Sequence, residues 1–323
     1  MLRTTILIGA ALLALPCAPA RAATDYPTRP VALVVGFPPG GASDILARII
    51  AGKLGGVLGQ PFVVDNRPGA GGNVAGEAVA HAAPDGYTLL LGNNAILATN
   101  ANLYAKIGFD PQADFAPISL IGTQANVLVV NNNVPAHSLA GLIALAKASP
   151  GKLNFASSGY GLAAHLAGEL FKAQAHIDIV HVPYKGSAPA LEDVIAGQDQ
   201  MMFATTSGVM GFLNNGQVRA LAVTTLKRTA ILPDIPTMDE SGLRGFEATT
   251  WHGLVAPAGT PPAVIATLHR ALVEALNDPD VRAKLAALGI DIAPDSPEEF
   301  AAYIKSEIPK WAAVIKASGA KLE

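Results

Sequence analysis

Cysteine is nearly absent from this sequence. The single one, Cys17, lies in an amino-terminal segment that we expect to be removed on export. The mature chain is therefore predicted to hold no disulfide, so its hydrophobic core alone has to stabilise it. A chain of 323 residues is long enough to bury such a core, and its length favours two lobes.

Charge is also scarce. Only 15% of the residues are charged, and 25 acidic residues stand against 22 basic ones. This weak acidity argues against nucleic acid or an anionic membrane surface as a partner. Beyond the amino terminus no apolar run reaches about 18 residues, which argues against a membrane-spanning helix in the mature chain.

The common enzyme signatures are missing as well. There is no G-x-S-x-G elbow, H-E-x-x-H pair, C-x-x-C pair or Walker A loop. Residues 159–164 match the dinucleotide pattern G-x-G-x-x-A, but the acidic residue expected after the next strand is replaced by the neighbourhood of His181. An exported enzyme would also lack a supply of nucleotide. We predict a receptor without cofactor or metal and not an enzyme, with a nucleotide-dependent oxidoreductase as the less favoured alternative.

Residues 1–22 have the features of a secretory signal peptide. Arg3 provides a positive start, and residues 6–15 form an apolar segment too short to cross a bilayer. Residues 20–22, Ala-Arg-Ala, fit the small-residue pattern that precedes cleavage. The sequence therefore predicts a periplasmic protein exported by a cleaved signal peptide.

Predicted strands and helices alternate along the rest of the chain. Val31–Val35 is a continuous apolar run, typical of a strand buried on both faces, and a glycine-rich loop and a helix follow it. The same plan returns after about residue 125 and implies parallel sheets flanked by helices. We predict an α/β protein whose lobe 1 comprises residues 23–124 and 229–323 and whose lobe 2 comprises residues 125–228. Ligands of such sheets bind at the strand ends, here in a cleft between lobes hinged near Ala125 and Thr225.

Two glycine-rich turns, one in each lobe, join a predicted strand to a helix. Residues 40–44 are Gly-Gly-Ala-Ser-Asp and residues 157–161 are Ser-Ser-Gly-Tyr-Gly. Such turns bring the N–H groups of a helix start close to an anion. Each could instead be a tight turn that needs glycine for a positive φ, but their equivalent places favour one shared site for a small mono- or dicarboxylate.

Asp44 and His165, in or beside these turns, can each be assigned either a ligand-binding or a structural role. Ser43 or Asp44 can cap the first helix. Because an ionised Asp in the cleft would repel a carboxylate, we favour capping for Asp44 while keeping it among the candidate site residues. His165 could donate a hydrogen bond to the anion or be a buried histidine with a structural role.

Other candidates lie close by. Asn93 ends a lobe 1 strand and offers an amide, whereas Phe37 is expected mainly to pack. Arg67 could pair with a ligand carboxylate, but we favour a structural ion pair with Asp65 or Glu77. The candidate set is completed by Pro39, Tyr184 and Thr205.

Eight motifs spread over the chain resemble one known family. They are YPTRP at 26–30, GFPPGGASD at 36–44, DNRPGAGGN at 65–73, PDGYTLL at 84–90, HVPYKG at 181–186, RALAVT at 219–224, WHGLVAPAGTP at 251–261 and PEEF at 297–300. Together they resemble the Bug-type extracytoplasmic receptors of tripartite tricarboxylate transporters over essentially the whole mature chain.

This resemblance implies a two-lobed periplasmic binding protein of type II, the Venus flytrap, that captures carboxylated solutes. It implies that the Pro-Pro-Gly-Gly loop and the Ser-Ser-Gly loop hold the ligand, often through water. The contacts that it implies are Gly40, Gly41, Ser43, Ser157, Ser158 and Gly159. Many members carry Asp where this chain has Ala204, so we predict a simple carboxylate rather than an amino acid. The implied partners are that acid and membrane transporter subunits, with the receptor a monomer. A ligand-presenting sensor for a signalling partner is the alternative.

Overall fold

The computed structural model describes residues 26–184 and 186–322, so the predicted signal peptide and Lys185 lie outside the described residues. The strands are β1 (Val31–Val35), β2 (Phe62–Asn66), β3 (Thr88–Asn93), β4 (Phe115–Gln124), β5 (Asn126–Asn131), β6 (Asn154–Ser157), β7 (Val180–Pro183), β8 (Met201–Thr205), β9 (Val218–Val223), β10 (Thr250–Pro257) and β11 (Ile290–Ile292). The helices are α1 (Ala42–Leu58), α2 (Asn73–Ala80), α3 (Asn100–Leu103), α4 (Leu139–Ala148), α5 (Ala163–Ala175), α6 (Ser187–Ala196), α7 (Thr206–Asn214), α8 (Pro262–Asn277), α9 (Pro279–Ala287) and α10 (Pro297–Ser318).

Six strands form the sheet of lobe 1, in the order β11-β4-β10-β3-β1-β2. β1 pairs in parallel with β2 and β3, whereas β10 lies antiparallel between β3 and β4, and β11 is antiparallel to β4. The expectation of a parallel sheet is therefore wrong for three of these five pairings. β10 brings the chain back from the other lobe, so it enters the sheet from the edge at which β1, β2 and β3 end.

Five strands form the sheet of lobe 2, in the order β7-β6-β8-β5-β9. β6 is parallel to β7 and β8, and β5 is antiparallel to β8 and β9. β5 brings the chain into this sheet from lobe 1. Like β10, it therefore starts at the edge at which its neighbours β8 and β9 end. As a result, β1, β2 and β3 end at one common edge of the lobe 1 sheet, and β6, β7 and β8 end at one common edge of the lobe 2 sheet.

The core lies on both faces of each sheet. Val31, Leu33 and Val35 pack in one apolar cluster with α1, α8 and α9, while Val34 packs in another. This two-sided burial explains the continuous apolar sequence of β1. The same cluster places the carboxy-terminal helices α8 and α9 against this sheet.

The long helix α10 joins the two lobes. Ser296 and Glu299 form a capping box at its start. The helix then packs against β4 of lobe 1 and α5 of lobe 2. Glu307, 3% exposed, accepts hydrogen bonds from the indole N–H groups of Trp251 and Trp311 at 3.2 and 2.8 Å. Because both indole N–H groups donate to it, the Glu307 carboxylate is buried at less than the full free-energy cost of desolvation.

The segment between β9 and β10 is attached to lobe 2. The N–H of Met238 donates to the carbonyl of Val223 at 2.9 Å, and the N–H of Ala248 donates to that of Thr224 at 3.0 Å. Because these bonds hold the segment on β9 and its carboxyl end, we propose that lobe 2 extends to the start of β10, beyond the boundary expected at 228.

Candidate functional site

The chain crosses between the two sheets at one edge of each. β4 ends at Gln124 and β5 begins at Asn126, so only Ala125 separates the sheets. Gln124 pairs with Thr250 at the start of β10, and Asn126 pairs with Thr205 at the end of β8. The edges at which the strands of both lobes end therefore border one cleft, where open α/β sheets bind their ligands.

Residues 37–43 form the turn of lobe 1, here called the Gly40 turn. Pro39, Gly40 and Gly41 are exposed, and Gly40 has a φ of 82°, a left-handed conformation that glycine adopts without strain. α1 begins after Gly41, and the first N–H groups of this helix have no hydrogen-bond partner among the described residues. Exposed N–H groups at a helix start suit an anion.

The buried side chain of Asp44 stabilises this turn by hydrogen bonds. Its side chain is 2% exposed and accepts hydrogen bonds from the N–H of Gly40 at 2.9 Å, Nε of Arg48 at 2.9 Å and Nδ2 of Asn66 at 3.0 Å. The hydrogen bond from Arg48, with that from Gly40, lowers the pKa of Asp44 to about 2. The carboxylate is therefore ionised at neutral pH, and its charge is balanced by Arg48.

The predicted cap of α1 is wrong in detail. The N-cap residue is Gly41, and neither Ser43 nor Asp44 caps the helix by its side chain. Asp44 instead binds the N–H of Gly40, because its carboxylate reaches back over the start of the helix. Ser43 lies in the first helical turn, with its Oγ 3.4 Å from Nε2 of His252.

His252 is a buried partner of the Gly40 turn. It lies on β10, is 4% exposed, and its Nδ1 has no hydrogen-bond partner among the described residues. Burial lowers the pKa of His252 to about 4. The ring is therefore neutral at neutral pH, and it can exchange a hydrogen bond with the hydroxyl of Ser43.

Residues 157–161 form the turn of lobe 2, here called the Ser158 turn. Ser157 is fully buried, its Oγ lies 2.6 Å from Nε2 of His181, and it accepts a hydrogen bond from the N–H of Gly159 at 3.2 Å. Ser158 is half-buried and Tyr160 is 53% exposed. In this geometry Ser157 shapes the turn, and Ser158 is the serine whose side chain has access to solvent.

Two stacked histidines support the Ser158 turn. His165 is 2% exposed, and its Nδ1 accepts a hydrogen bond from the N–H of Gly161 at 2.9 Å. Its ring stacks on that of His181, with 4.1 Å between the centroids. Desolvation is the main cause that lowers the pKa of His165 to about 4 and that of His181 to about 3. Of the two roles left open for His165, this arrangement fits the structural one.

A direct contact joins the lobes beside the Ser158 turn. Gly161 packs so closely against Leu103 of α3 that a Cβ at this position would collide with the leucine side chain. On the lobe 1 side, Nδ2 of Asn100 donates to the carbonyl of Gly71 at 3.2 Å and to Oδ1 of Asn73 at 2.7 Å. These contacts place the Ser158 turn against the loops at the edge of lobe 1.

Asn93 and Tyr184 use their polar groups internally. Oδ1 of Asn93, which is 7% exposed, accepts a hydrogen bond from the N–H of Ile96 at 3.1 Å. The hydroxyl of Tyr184 lies 2.6 and 2.7 Å from the carboxylates of Asp193 and Asp199. Both residues are at the cleft edge, but a ligand would have to compete for these groups.

Phe37 and Thr205 lie at the same edge. Phe37 is half-buried against the apolar clusters of lobe 1, and its carbonyl accepts a hydrogen bond from Nδ2 of Asn66 at 3.0 Å. Thr205 is the N-cap residue of α7 and is also half-buried. Arg67 forms the expected structural ion pair, with Nε 2.8 Å from Oδ2 of Asp65.

His252 and Leu103 did not emerge from the sequence as site residues. His252 stands inside the 251–261 motif, and that motif was the signal that could have singled it out. Nothing in the local sequence marks Leu103, because its contact with Gly161 depends on how the two lobes pack.

Two mixed sheets, joined by crossing strands and bearing glycine-rich turns at one shared edge, define a two-lobed binding protein. A protein of R. palustris solved with adipate has a TM-score of 0.78 and 39% identity, covering 92% of this chain and 100% of that chain. MatC from Rhodopseudomonas palustris, solved with bound malate, has a TM-score of 0.74 and 33% identity, covering 90% and 100%. The predicted α/β two-lobed fold is confirmed.

The chain belongs to the family described as "TctC: Tripartite tricarboxylate transporter family receptor", whose profile matches residues 46–320. Protein BugT of Bordetella pertussis is 39% identical over 324 residues, which cover 100% of this chain and 99% of BugT. The Bug-type resemblance is thus confirmed. Because this is a family of receptors, the prediction of a receptor rather than an enzyme is confirmed too.

The described residues include neither a candidate membrane-spanning helix nor a candidate metal site. None of the helices within 26–184 and 186–322 combines the length and apolar character needed to cross a bilayer. Over the same residues, His, Cys, Asp and Glu side chains do not gather into a group that could hold a metal ion.

Proposed function

We propose that this chain is a periplasmic receptor that captures one small carboxylate between the Gly40 turn and the Ser158 turn. The observation that carries the proposal is the pair of helix starts, α1 and α5, at edges bordering one cleft. Their N–H groups donate charge-assisted hydrogen bonds to the carboxylate. Closure of the lobes excludes water and strengthens these bonds.

The charges around the turns support a simple acid as the ligand. Residues 37–44 and 157–161 include one acidic side chain, Asp44, and Arg48 balances its charge. Ala204, 4% exposed at the end of β8, offers no charge to a ligand ammonium group. The adipate and malate in the similar structures from R. palustris are small carboxylic acids, and they support this ligand class.

We further propose that the chain is exported to the periplasm and that, as a monomer, it delivers the bound acid to membrane transporter subunits. Export rests on the signal-peptide pattern of residues 1–22, and delivery rests on membership of the transporter-receptor family. Mass spectrometry of the secreted chain is expected to find Ala23 at the amino terminus. Deleting the gene is expected to abolish uptake of the bound acid; intact uptake with altered gene expression would instead favour the sensor.

The ligand class is tested by calorimetric titration of the mature protein with matched pairs of acids and amides. Adipate, malate, butanoate and hexanoate form the acid set, and butanamide and hexanamide are the neutral controls. We expect at least one acid to bind and both amides to fail, because an amide carries no charge for the turns to stabilise. Equal binding of an acid and its amide would contradict carboxylate capture.

Gly41→Val tests the role of the Gly40 turn. Gly41 has φ −80° and ψ 169°, which valine tolerates, and the nearest atom to an added Cβ is 3.6 Å away. We therefore expect an unchanged melting temperature but at least tenfold weaker binding, because the side chain blocks the ligand's approach to the backbone. Gly56→Val, on an open face of α1, is the matched control. Unchanged affinity in Gly41→Val would remove the turn from the site.

A further inference from the structure

A pocket of about 250 Å³ lies in lobe 2, between α6 and α7 and above β8. Leu191, Met202, Ala204 and Phe212 form its apolar walls. Met202 and Ala204 are two residues apart on β8 and share one face of the sheet, so they form a continuous floor. Engineered apolar cavities of about 150 Å³ bind benzene, and this pocket therefore has room for a ring or a short alkyl chain.

One end of this pocket, here called its mouth, lies at the cleft edge. Ser187 is the first residue of α6 and Thr205 is the N-cap residue of α7, and both line the pocket. The residue before Ser187, Gly186, donates its N–H to the carbonyl of Ser158 at 3.1 Å. Gly186 therefore links the Ser158 turn directly to the pocket mouth, so a carboxylate bound at this turn lies close to the mouth.

The charge of the pocket lining restricts what enters it. Glu192 is the one charged residue among the described residues that line the pocket, and it is exposed at the rim. A second carboxylate placed in the pocket would meet this negative charge and an apolar floor, without a basic partner among those described residues. A hydrocarbon group avoids both costs.

We propose that this pocket is the hydrophobic subsite of the ligand, and that the preferred ligand is a monocarboxylate with a short alkyl or aromatic tail. The proposal rests on the proposed function, because the Gly40 and Ser158 turns hold the carboxylate. The tail extends from the cleft into lobe 2, between the first turns of α6 and α7.

The test is a calorimetric series of linear monocarboxylates from butanoate to octanoate, with adipate as the partner of hexanoate. Each added methylene that enters the pocket strengthens binding about three- to fourfold, until the pocket is full. Hexanoate is expected to bind at least tenfold more tightly than adipate, which has the same number of carbons and a second carboxylate.

Two variants fill the pocket by different routes. Ala204→Leu raises the floor, and Ala188→Leu narrows the mouth from an exposed position at which folding is not at risk. Both are expected to weaken hexanoate at least tenfold and butanoate less than threefold. Ala196→Leu, at the exposed carboxyl end of α6 and outside the pocket lining, is the control and leaves the series unchanged.

The outcomes separate this inference from the proposed function. A rise of affinity with chain length that Ala188→Leu flattens supports the subsite. If adipate binds, loses affinity in Gly41→Val and exceeds hexanoate, carboxylate capture stands and the subsite is wrong. If chain length has no effect, or Ala188→Leu weakens butanoate and hexanoate equally, the subsite is wrong as well. If no acid binds, both proposals fail.

Discussion

The Gly40 turn and the Ser158 turn occupy equivalent places in the two lobes, but they are braced differently. The Gly40 turn is held by an ionised carboxylate, since Asp44 accepts hydrogen bonds from Gly40, Arg48 and Asn66. The Ser158 turn is held by two neutral imidazoles, those of His165 and His181. Neither turn therefore directs an unbalanced side-chain charge at the cleft.

The two turns of the proposed anion site are thus stabilised in two different ways. An ion pair shapes the backbone of lobe 1, and its arginine is half-exposed, so the charges remain solvated on one side. Buried aromatic stacking shapes the backbone of lobe 2, where desolvation keeps both rings uncharged. In both cases the groups left for a ligand are backbone N–H groups and hydroxyls.

The largest expected contrast between the turns comes from adding one methyl group to each. Gly161→Ala has to adopt a φ of 73° and collides with Leu103, so we expect a loss of roughly 2–5 kcal/mol in the free energy of unfolding. Gly41→Ala has φ −80° and free space, so less than about 0.5 kcal/mol is expected. Urea unfolding curves of both variants provide the measurement.

Leu103→Ala sharpens that test. If the collision matters, the double variant Gly161→Ala with Leu103→Ala is less destabilised than the sum of the two single variants predicts. Simple additivity would mean that the contact between Gly161 and Leu103 is absent in solution.

The next largest effect is expected from removing the carboxylate of Asp44, which stabilises the Gly40 turn. Asp44→Ala leaves the N–H of Gly40 and the groups of Arg48 and Asn66 without their acceptor, and we expect a loss of about 1–3 kcal/mol. Asp44→Asn keeps the shape and one acceptor oxygen and should lose less. Chemical denaturation of both variants measures the difference; equal stability of Asp44→Ala and the wild type would mean that the turn does not depend on this brace.

The smallest expected effect is a difference in the pH range over which each turn's buried groups lose their contribution to folding stability. The pKa values of His165 and His181, about 4 and about 3, lie below the usual value of about 6.5. As the pH falls, the unfolded chain therefore takes up these protons first, and stability is lost from about pH 6.5 toward pH 3. The pKa of Asp44, about 2, lies below its usual 3.8, so its contribution is lost only as the pH falls from about 4 toward 2.

Urea unfolding at a series of pH values tests this order. His165→Gln should flatten the decline between pH 6.5 and 4, whereas the exposed His137→Gln serves as control and should follow the wild type. A decline that begins only below pH 4 in the wild type would show that the histidines are not the buried neutral pair described here.

Much of the fold was predictable from local patterns. The apolar run Val31–Val35, the capping box at Ser296 and the helix Pro262–Asn277 all have local causes, and all are present. β4 and β10 were not recognised as strands, because a strand that crosses between lobes lacks the regular strand-loop-helix context. The direction of β10 was equally hidden, since it depends on where the chain re-enters the sheet.

The candidate site was predictable to a similar degree. The two turns were identifiable because glycine at a strand end and a helix start are local signals. The partners of Asp44 and His165 were not, because Asn66 and the stacked ring of His181 are brought in from distant parts of the chain.

By itself, the sequence indicated a signal peptide, an alternation of strand and helix, a glycine-rich turn in each half of the chain and membership of a family of carboxylate receptors. Only the tertiary structure decided that both turns border one cleft, that Asp44, Ser157 and His165 face inward as braces, and that an apolar pocket opens beside the Ser158 turn. The physical reason is that turns and helix starts depend on neighbouring residues. Burial, pKa and access to a ligand depend on residues far apart in the chain.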